Sequence, residues 1–250
     1  MKYNNLISII TPSYNSEKFI SETIKSVLTQ TYQYWEMIIV DDCSPDNSNK
    51  IIEKFCRKDN RIKLIKLERN SGPAIARNRG IQEARGRYIA FLDADDLWKP
   101  DKLEKQLNFM AENKLSFTYS SYDLIDEDGR FLGTFKTKET ISYESMLKTC
   151  SVGCLTAIYD TKILGKMFMP NILKRQDYGL WLKILKKIRT TKGIIEPLAI
   201  YRIRKDSVSS NKLKAALYQW KIYRDVEELS LFKSLYYFIN YVYYGIKKYK

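Results

Sequence analysis

Short, mainly apolar runs recur through the first part of the chain, at Leu6 to Ile10, Glu36 to Val40, Ile62 to Leu67 and Tyr88 to Leu92. Runs of this length with little polar alternation suit strands buried on both faces of a parallel sheet. Between them the apolar spacing turns helical. Phe19, Ile20, Ile24, Val27 and Leu28 define a first helix, with Ser16 or Ser21 as its expected cap. Asn47 to Lys58 form a second, with Ile51, Ile52 and Phe55 inward. Asn70-Ser71-Gly72 breaks the chain, Pro73 opens a third helix, and Gly80 or Gly86 closes it. A fourth runs from Pro100 to about Asn113. This alternation predicts an α/β fold with a doubly wound, mostly parallel central sheet.

Beyond Asn113 the pattern loosens. Phe117 to Ser121, Leu155 to Tyr159 and Ile194 to Tyr201 read as further strands, and Asp128-Gly129 as a hairpin turn. Lys174-Arg175-Gln176-Asp177-Tyr178 opens a helix striped by Leu180, Trp181, Ile184, Leu185 and Ile188. From Leu213 onward the spacing is helical and tyrosine-rich, with Leu231, Leu235, Phe238, Ile239, Val242 and Ile246 on one stripe. We expect a main domain over residues 1–210 and a helical extension over 211–250 that lies on a membrane surface, on the domain, or on a second subunit as a homodimer contact.

Composition narrows the chemistry. The chain has 250 residues and a formal net charge of +14, which suits a phosphate-bearing ligand, anionic lipid or nucleic acid. The four cysteines form no C-x-x-C pair and there is no histidine, which removes a zinc site and the usual neutral-pH base. No run is long enough to span a bilayer and Met1 to Asn5 is no signal peptide, so a cytoplasmic protein is expected. Neither G-x-G-x-x-G nor G-x-x-x-x-G-K follows the first strand.

The acidic residues cluster where strands end. Asp41 and Asp42 follow the second strand, and Asp93, Asp95 and Asp96 the fourth. Ligands of open α/β sheets collect at that edge. Three carboxylates there call for a cation, with oxygen ligands favouring Mg²⁺ or Mn²⁺, unless they form an exposed turn before a helix. Asp177 opens a helix, where a carboxylate also simply complements the dipole.

The motifs ISIITPSYNSEKFI, IIVDDCSPDNS, NSGPAIARNRG and GRYIAFLDADDLWKPDKL, then KRQDYGLWLKIL and YRIRKDSVSSNK, resemble the successive motifs of family 2 glycosyltransferases with the GT-A fold. The second half is most similar to bacterial transferases that build teichuronic acid and related capsular or lipopolysaccharide chains. The resemblance implies a nucleotide-sugar donor, UDP-linked, held by Thr11, Pro12 and Tyr14, with Tyr14 stacked on the base. It implies Asp42 on the uracil N3–H, Arg77 against the same base, Asp93 near the ribose, Asp95 on the metal with Asp93, and Asp96 facing the sugar or acceptor. Asp177 matches the catalytic base. Gln176 stands where many relatives carry an acid, and Arg204 where many carry a histidine, so Arg204 or Arg202 is expected on the diphosphate.

This implies inverting transfer to a hydroxyl of a glycan or lipid-linked acceptor, at the inner face of a bacterial plasma membrane, with residues 231–250 as a peripheral membrane contact. Sugar-phosphate nucleotidyl transfer and a non-enzymatic basic membrane or nucleic-acid binder are the alternatives. The loop TPSYNS lacks the glycines and basic residues of the first, and the strand-end carboxylates repel nucleic acid.

Overall fold

The computed structural model describes residues 5–204 and 212–247. Its first half alternates β1 (Ile7–Ser13), α1 (Ile20–Leu28), β2 (Trp35–Asp41), α2 (Ser48–Lys58), β3 (Ile62–Lys66), α3 (Pro73–Glu83) and β4 (Tyr88–Phe91). β1 lies between parallel partners β2 and β4, and β3 pairs with β2. The uniform apolarity of these strands has a simple cause. Ile7, Ile9, Met37, Ile39 and Ala90 face a core shared with α1 and α2, while Ile10, Ile38, Val40, Ile89 and Phe91 face a second core on the other side.

The second half comprises β5 (Leu97–Trp98), α4 (Lys102–Glu112), β6 (Phe117–Ile125), β7 (Phe131–Phe135), β8 (Thr140–Ser142), α5 (Tyr143–Lys148), β9 (Ile158–Asp160), α6 (Thr161–Leu164), α7 (Gln176–Ile188) and β10 (Thr190–Arg202). The sheet runs β3-β2-β1-β4-β9-β6-β10-β5. β9 is antiparallel to both β4 and β6, whereas β6 and β10 are parallel. The expected hairpin turn joins β6 to β7, closed by Gly129 N–H on the Asp126 carbonyl.

Several local expectations are corrected. Only the end of Leu155 to Tyr159 is strand; Cys154–Thr156 is a 3₁₀ turn. The carbonyls of Leu155 and Thr156 accept instead from Trp98 Nε1 and Gln106 Nε2, at 2.7 and 2.9 Å. No side chain caps α1. The Ser16 hydroxyl pairs with Ser13 and Ser48, and its carbonyl takes the N–H groups of Phe19 and Ile20. Neither Gly80 nor Gly86 closes α3, which ends against Ala84. Gly80 serves close approach: a Cβ there would lie 2.6 Å from Ile10 Cγ2, so its absence seats α3 directly on β1.

The C-terminal helix is broken. α8 (Lys212–Lys221) runs into a π-turn, Ile222–Val226, and α9 (Leu231–Lys247) begins afresh. The break follows from burying Glu227, which pairs with Lys186 at 2.8 Å and accepts from the Tyr143 hydroxyl. Glu228 then takes a left-handed φ of 52°. α9 docks by Ser234, Tyr237, Phe238 and Tyr241, with Phe238 against Trp220 and Tyr237 against Tyr223. Its apolar stripe turns outward: Leu231, Phe232, Leu235, Ile239 and Val242 are exposed, although Phe238 from the expected stripe faces in. No helix of the described residues is long and apolar enough to cross a membrane.

Opposite the strand tips, buried Glu36 accepts from Ser8 Oγ, Lys63 Nζ and the Arg85 backbone and Nε. Burial pushes its carboxyl up, but these bonds outweigh it and hold the group below the ordinary glutamate value. The stabilisation is present above that value and fades as pH falls through the lowered one. Glu36→Ala leaves Ser8 and Arg85 without their acceptor and is expected to cost roughly 3 kcal/mol in urea unfolding at pH 7. A change below about 0.5 kcal/mol would contradict this account.

Candidate functional site

The site forms where β1, β2 and β4 end together. After β1 the ring of Tyr14 is 51 % exposed, Pro12 is half-buried, and Thr11 is buried with its hydroxyl unpartnered. After β2 the two adjacent carboxylates do different things. Asp41 accepts from Ser44 N–H and Asn49 Nδ2, folding a turn in which Cys43 has φ of 63°. Asp42 accepts from the backbone N–H groups of Ser71 and Gly72 at 2.7 and 2.8 Å, pinning the loop that leads into α3. Asp42 is therefore a loop anchor, and each of its carboxylate oxygens keeps a lone pair beyond the one used.

α3 then carries Arg77 into the protein beneath the β4 tip. Its Nη2 bonds Asp93 at 2.6 Å, while Nε and Nη1 are buried without a partner. Burial works against this charge, but Asp93, with further contributions from Cys154 and Asp177, raises the guanidinium's pKa. Arg77, expected against a nucleotide base, lies against Asp93 of the acidic cluster with its side chain only 7 % exposed. Orphaned buried guanidinium donors carry a cost of about 1–3 kcal/mol each, which a bound anionic or hydroxylic ligand would relieve.

The rest of the acidic cluster follows β4. Asp95 pairs with Arg204 at 3.1 Å. Burial and the Asp93 charge raise the Asp95 carboxyl, with Arg204 opposing. Asp96 is fully buried and accepts from Arg202 N–H at 2.9 Å. Its pKa lies well above the ordinary range, through burial and then Asp95 and Asp93. That bond ties one oxygen of Asp96 to the β10 backbone. Asp177 lies in the first turn of α7, half-buried. Burial raises its carboxyl, and Arg77 is the main opposing charge.

Two further groups, not singled out from the sequence as site residues, share this cluster. Burial raises the Cys154 thiol strongly while Arg77 pulls it down, with Asp93, Asp177 and Asp96 also acting on it. The Tyr122 hydroxyl is raised by burial, with contributions from Asp96 and Asp177 among others. Both come from the less regular second half, Tyr122 from β6, which β9 separates from β4 in the sheet, and Cys154 from the turn just before β9. Only the sheet order could have revealed them.

Arg202 departs from expectation. Its Nη2 bonds Glu22 at 2.6 Å, Nη1 the Glu127 carbonyl and Nε the Asp95 carbonyl, and the guanidinium lies over Phe19. With all three nitrogens committed it braces the acidic loop against α1. Arg204, two positions on, also lies over Phe19 but has a side chain 28 % exposed. Gln176 is buried, with its side-chain oxygen unpartnered.

Among the described residues no three carboxylate or cysteine side chains converge as a ready-made metal cage. The donors present still fit a hard divalent ion. Asp93 and Asp95 are oxygen-only, mutually repelling and held by single arginines, and an ion of this type takes its remaining ligands from phosphates and water. Beside the cluster, a cavity of about 560 Å³ opens between the Asn70–Pro73 loop, Leu173, Lys174 and α8.

A parallel sheet order of β3-β2-β1-β4 with carboxylates, an exposed tyrosine and a buried arginine at the strand tips is an open α/β architecture whose ligand edge is this one. The family model Glycosyl transferase family 2 matches residues 8–166. TuaG of Bacillus subtilis (strain 168), named as a teichuronic acid biosynthesis glycosyltransferase, is 47% identical over 97% of this chain and 97% of its own length. WfgD of Escherichia coli, named as a UDP-Glc:alpha-D-GlcNAc-diphosphoundecaprenol beta-1,3-glucosyltransferase, is 43% identical over 97% of this chain and 94% of its own. The crystal structure of S. aureus TarS 1-349 with UDP-GlcNAc shares the fold, with a TM-score of 0.71 at 23% identity over 94% of this chain and 71% of that one. The chain thus belongs to glycosyltransferase family 2.

The two arginines should separate cleanly. Arg202→Ala removes the brace and is expected to lower stability by roughly 3 kcal/mol. Arg204→Ala should leave stability within about 1 kcal/mol, as for a part-exposed pair. Equal losses in thermal unfolding would contradict the division of roles.

Proposed function

We propose that this family 2 enzyme transfers a sugar from a UDP-sugar to a hydroxyl of a lipid-linked glycan, with inversion at the anomeric carbon. One observation carries the reading: buried Arg77 is ion-paired to Asp93 just past the β4 tip and its charge also acts on the carboxyl of Asp177 on α7, which links a donor-side and an acceptor-side carboxylate through one cation.

In this reading the base stacks on Tyr14, beside Pro12 and above buried Thr11, and the uracil N3–H bonds Asp42 through lone pairs left free by Ser71 and Gly72. Asp95, with Asp93, would hold Mn²⁺ or Mg²⁺, which supplies Lewis-acid stabilisation of the departing diphosphate. Arg204 is the cation that this chain itself offers to that diphosphate, and Arg202 holds the loop from behind. The acceptor oxygen forms the new bond to the anomeric carbon as the C–O bond to the diphosphate breaks, the bonding pair leaving with UDP. Asp177 takes the hydroxyl proton. Its burial-raised pKa makes it a better base than a solvated aspartate, and the unpartnered oxygen of Gln176 beside it is an acceptor for a second hydroxyl.

The relatives' names support a UDP donor and a diphosphate-lipid acceptor. The cavity beside Lys174 and Lys221, walled by Leu173 and Leu217, is suited to such an acceptor, and the outward stripe of α9 to peripheral contact with an inner membrane leaflet. Family membership sets aside nucleotidyl transfer and non-enzymatic binding.

Asp177→Asn is expected to lower transfer about 10²–10⁴-fold while UDP affinity, read by calorimetry, stays within a few fold. Full transfer by this variant would refute the assignment. Asp95→Ala should lose the Mn²⁺-dependent part of UDP binding. Replacing Leu235 and Ile239 together by Glu should move the protein from sedimented phosphatidylglycerol vesicles to the supernatant; unchanged partition would rule out α9 as the contact.

A further inference from the structure

The segment leading into α7 is tied to both C-terminal helices through the side chain of Arg175. Arg175, two positions before Asp177, has φ of 62° and ψ of 22°, a left-handed conformation that a residue with a Cβ adopts only when its surroundings require it. Its Nη1 bonds Gln219 Oε1 on α8 at 2.6 Å, and its Nη2 bonds the Tyr241 hydroxyl on α9 at 2.5 Å. Gln219 is buried and donates in turn to the Tyr178 hydroxyl at 3.2 Å, which donates to the Met146 carbonyl on α5 at 2.9 Å. Both residues that flank Asp177 on this side are therefore tied, directly or through Gln219, to helices outside the nucleotide-handling half.

The backbone packing agrees. A Cβ on Gly179 would lie 2.5 Å from Pro170 Cγ and 3.4 Å from Ile222 Cδ1, so the first turn of α7 presses closely against the π-turn that joins α8 to α9. The Arg175 carbonyl accepts from Gly179 N–H, closing the same turn.

We infer that Arg175 is a positioning residue through which α8 and α9 set the placement of Asp177. Gln219 and Tyr241 form the two-point clamp that keeps Arg175, two residues before the base, in its left-handed conformation. The C-terminal helices thereby belong to the acceptor side of the catalytic apparatus as well as to the surface. This inference rests on the assignment of Asp177 as base. It predicts an effect on the chemical step alone, because the donor contacts at Tyr14, Asp42 and Asp95 lie on other elements.

The test uses full-length protein and steady-state transfer, with rates expressed per donor-binding site counted by UDP calorimetry, so that loss of folded protein does not register as loss of catalysis. Arg175→Asn, which tolerates left-handed backbone but lacks the fork, is expected to lower kcat roughly 10–100-fold with donor KM within about two-fold, on the scale of a small misplacement of a catalytic group. Tyr241→Phe should lower kcat by a smaller factor in the same direction, and guanidinium ion added to Arg175→Gly should restore part of the loss. Unchanged kcat per binding site in Arg175→Asn and Tyr241→Phe, or a rise in donor KM with kcat intact, would overturn the inference. An Asp177→Asn arm separates the two possible failures: if that variant transfers normally the base assignment is wrong, and if it is dead while the Arg175 and Tyr241 variants are normal only the clamp is wrong.

Discussion

The ion pair between Arg77 and Asp93 is the constraint on which the site depends. A guanidinium this deeply buried is tolerable only with a carboxylate against it, and Asp93 can stay at the β4 tip beside Asp95 and Asp96 only with such a cation nearby. Arg77 reaches that place because Gly80 lets α3 settle on Ile10 of β1, and because Asp42 holds the Ser71-Gly72 loop from which α3 starts. Strand, loop and helix are thus adjusted to one charge. Its two unpartnered nitrogens and the neighbouring Asp177 make the pocket chemically incomplete without a ligand.

Around this pair the acidic residues divide by direction. Asp41 folds its own turn, Asp42 anchors the next loop and Asp96 receives the β10 backbone, so these three build the cleft. Asp93, Asp95 and Asp177 carry the charge within reach of the site, answered by Arg77 and Arg204. The same division applies to the basic residues at the end of β10. Arg202 and Arg204 share one face over Phe19, yet the inner one is fully bonded to protein and the outer one is partly open to solvent.

Much of this was legible in the residues before any coordinates. Continuous apolar runs mark strands that must be buried on both faces, and carboxylates immediately after them mark the ligand edge; β2 and β4 satisfy both, and β1 the first. The second half was less readable because long-range partners override local pattern there. Trp98 and Gln106 take the carbonyls of Leu155 and Thr156 and turn an apparent strand into a 3₁₀ turn, bringing Cys154 to the site. Burial of Glu227 interrupts an apparently continuous C-terminal helix, and the tyrosine side of α9, rather than most of its aliphatic stripe, packs on the body. A period of 3.6 finds a helix but does not say which face the rest of the protein will cover.

The most direct test of the account is the pH dependence of kcat for Arg77→Gln at saturating UDP-sugar and metal, with UDP affinity measured in parallel. Removing the main charge that opposes the upward shift of Asp177 should move the acid limb of the profile to higher pH by about one unit or more. Removing the partner of Asp93 should weaken UDP binding in the same variant. An acid limb that stays at the wild-type position, or UDP affinity that does not change, would show that the two carboxylates do not share Arg77.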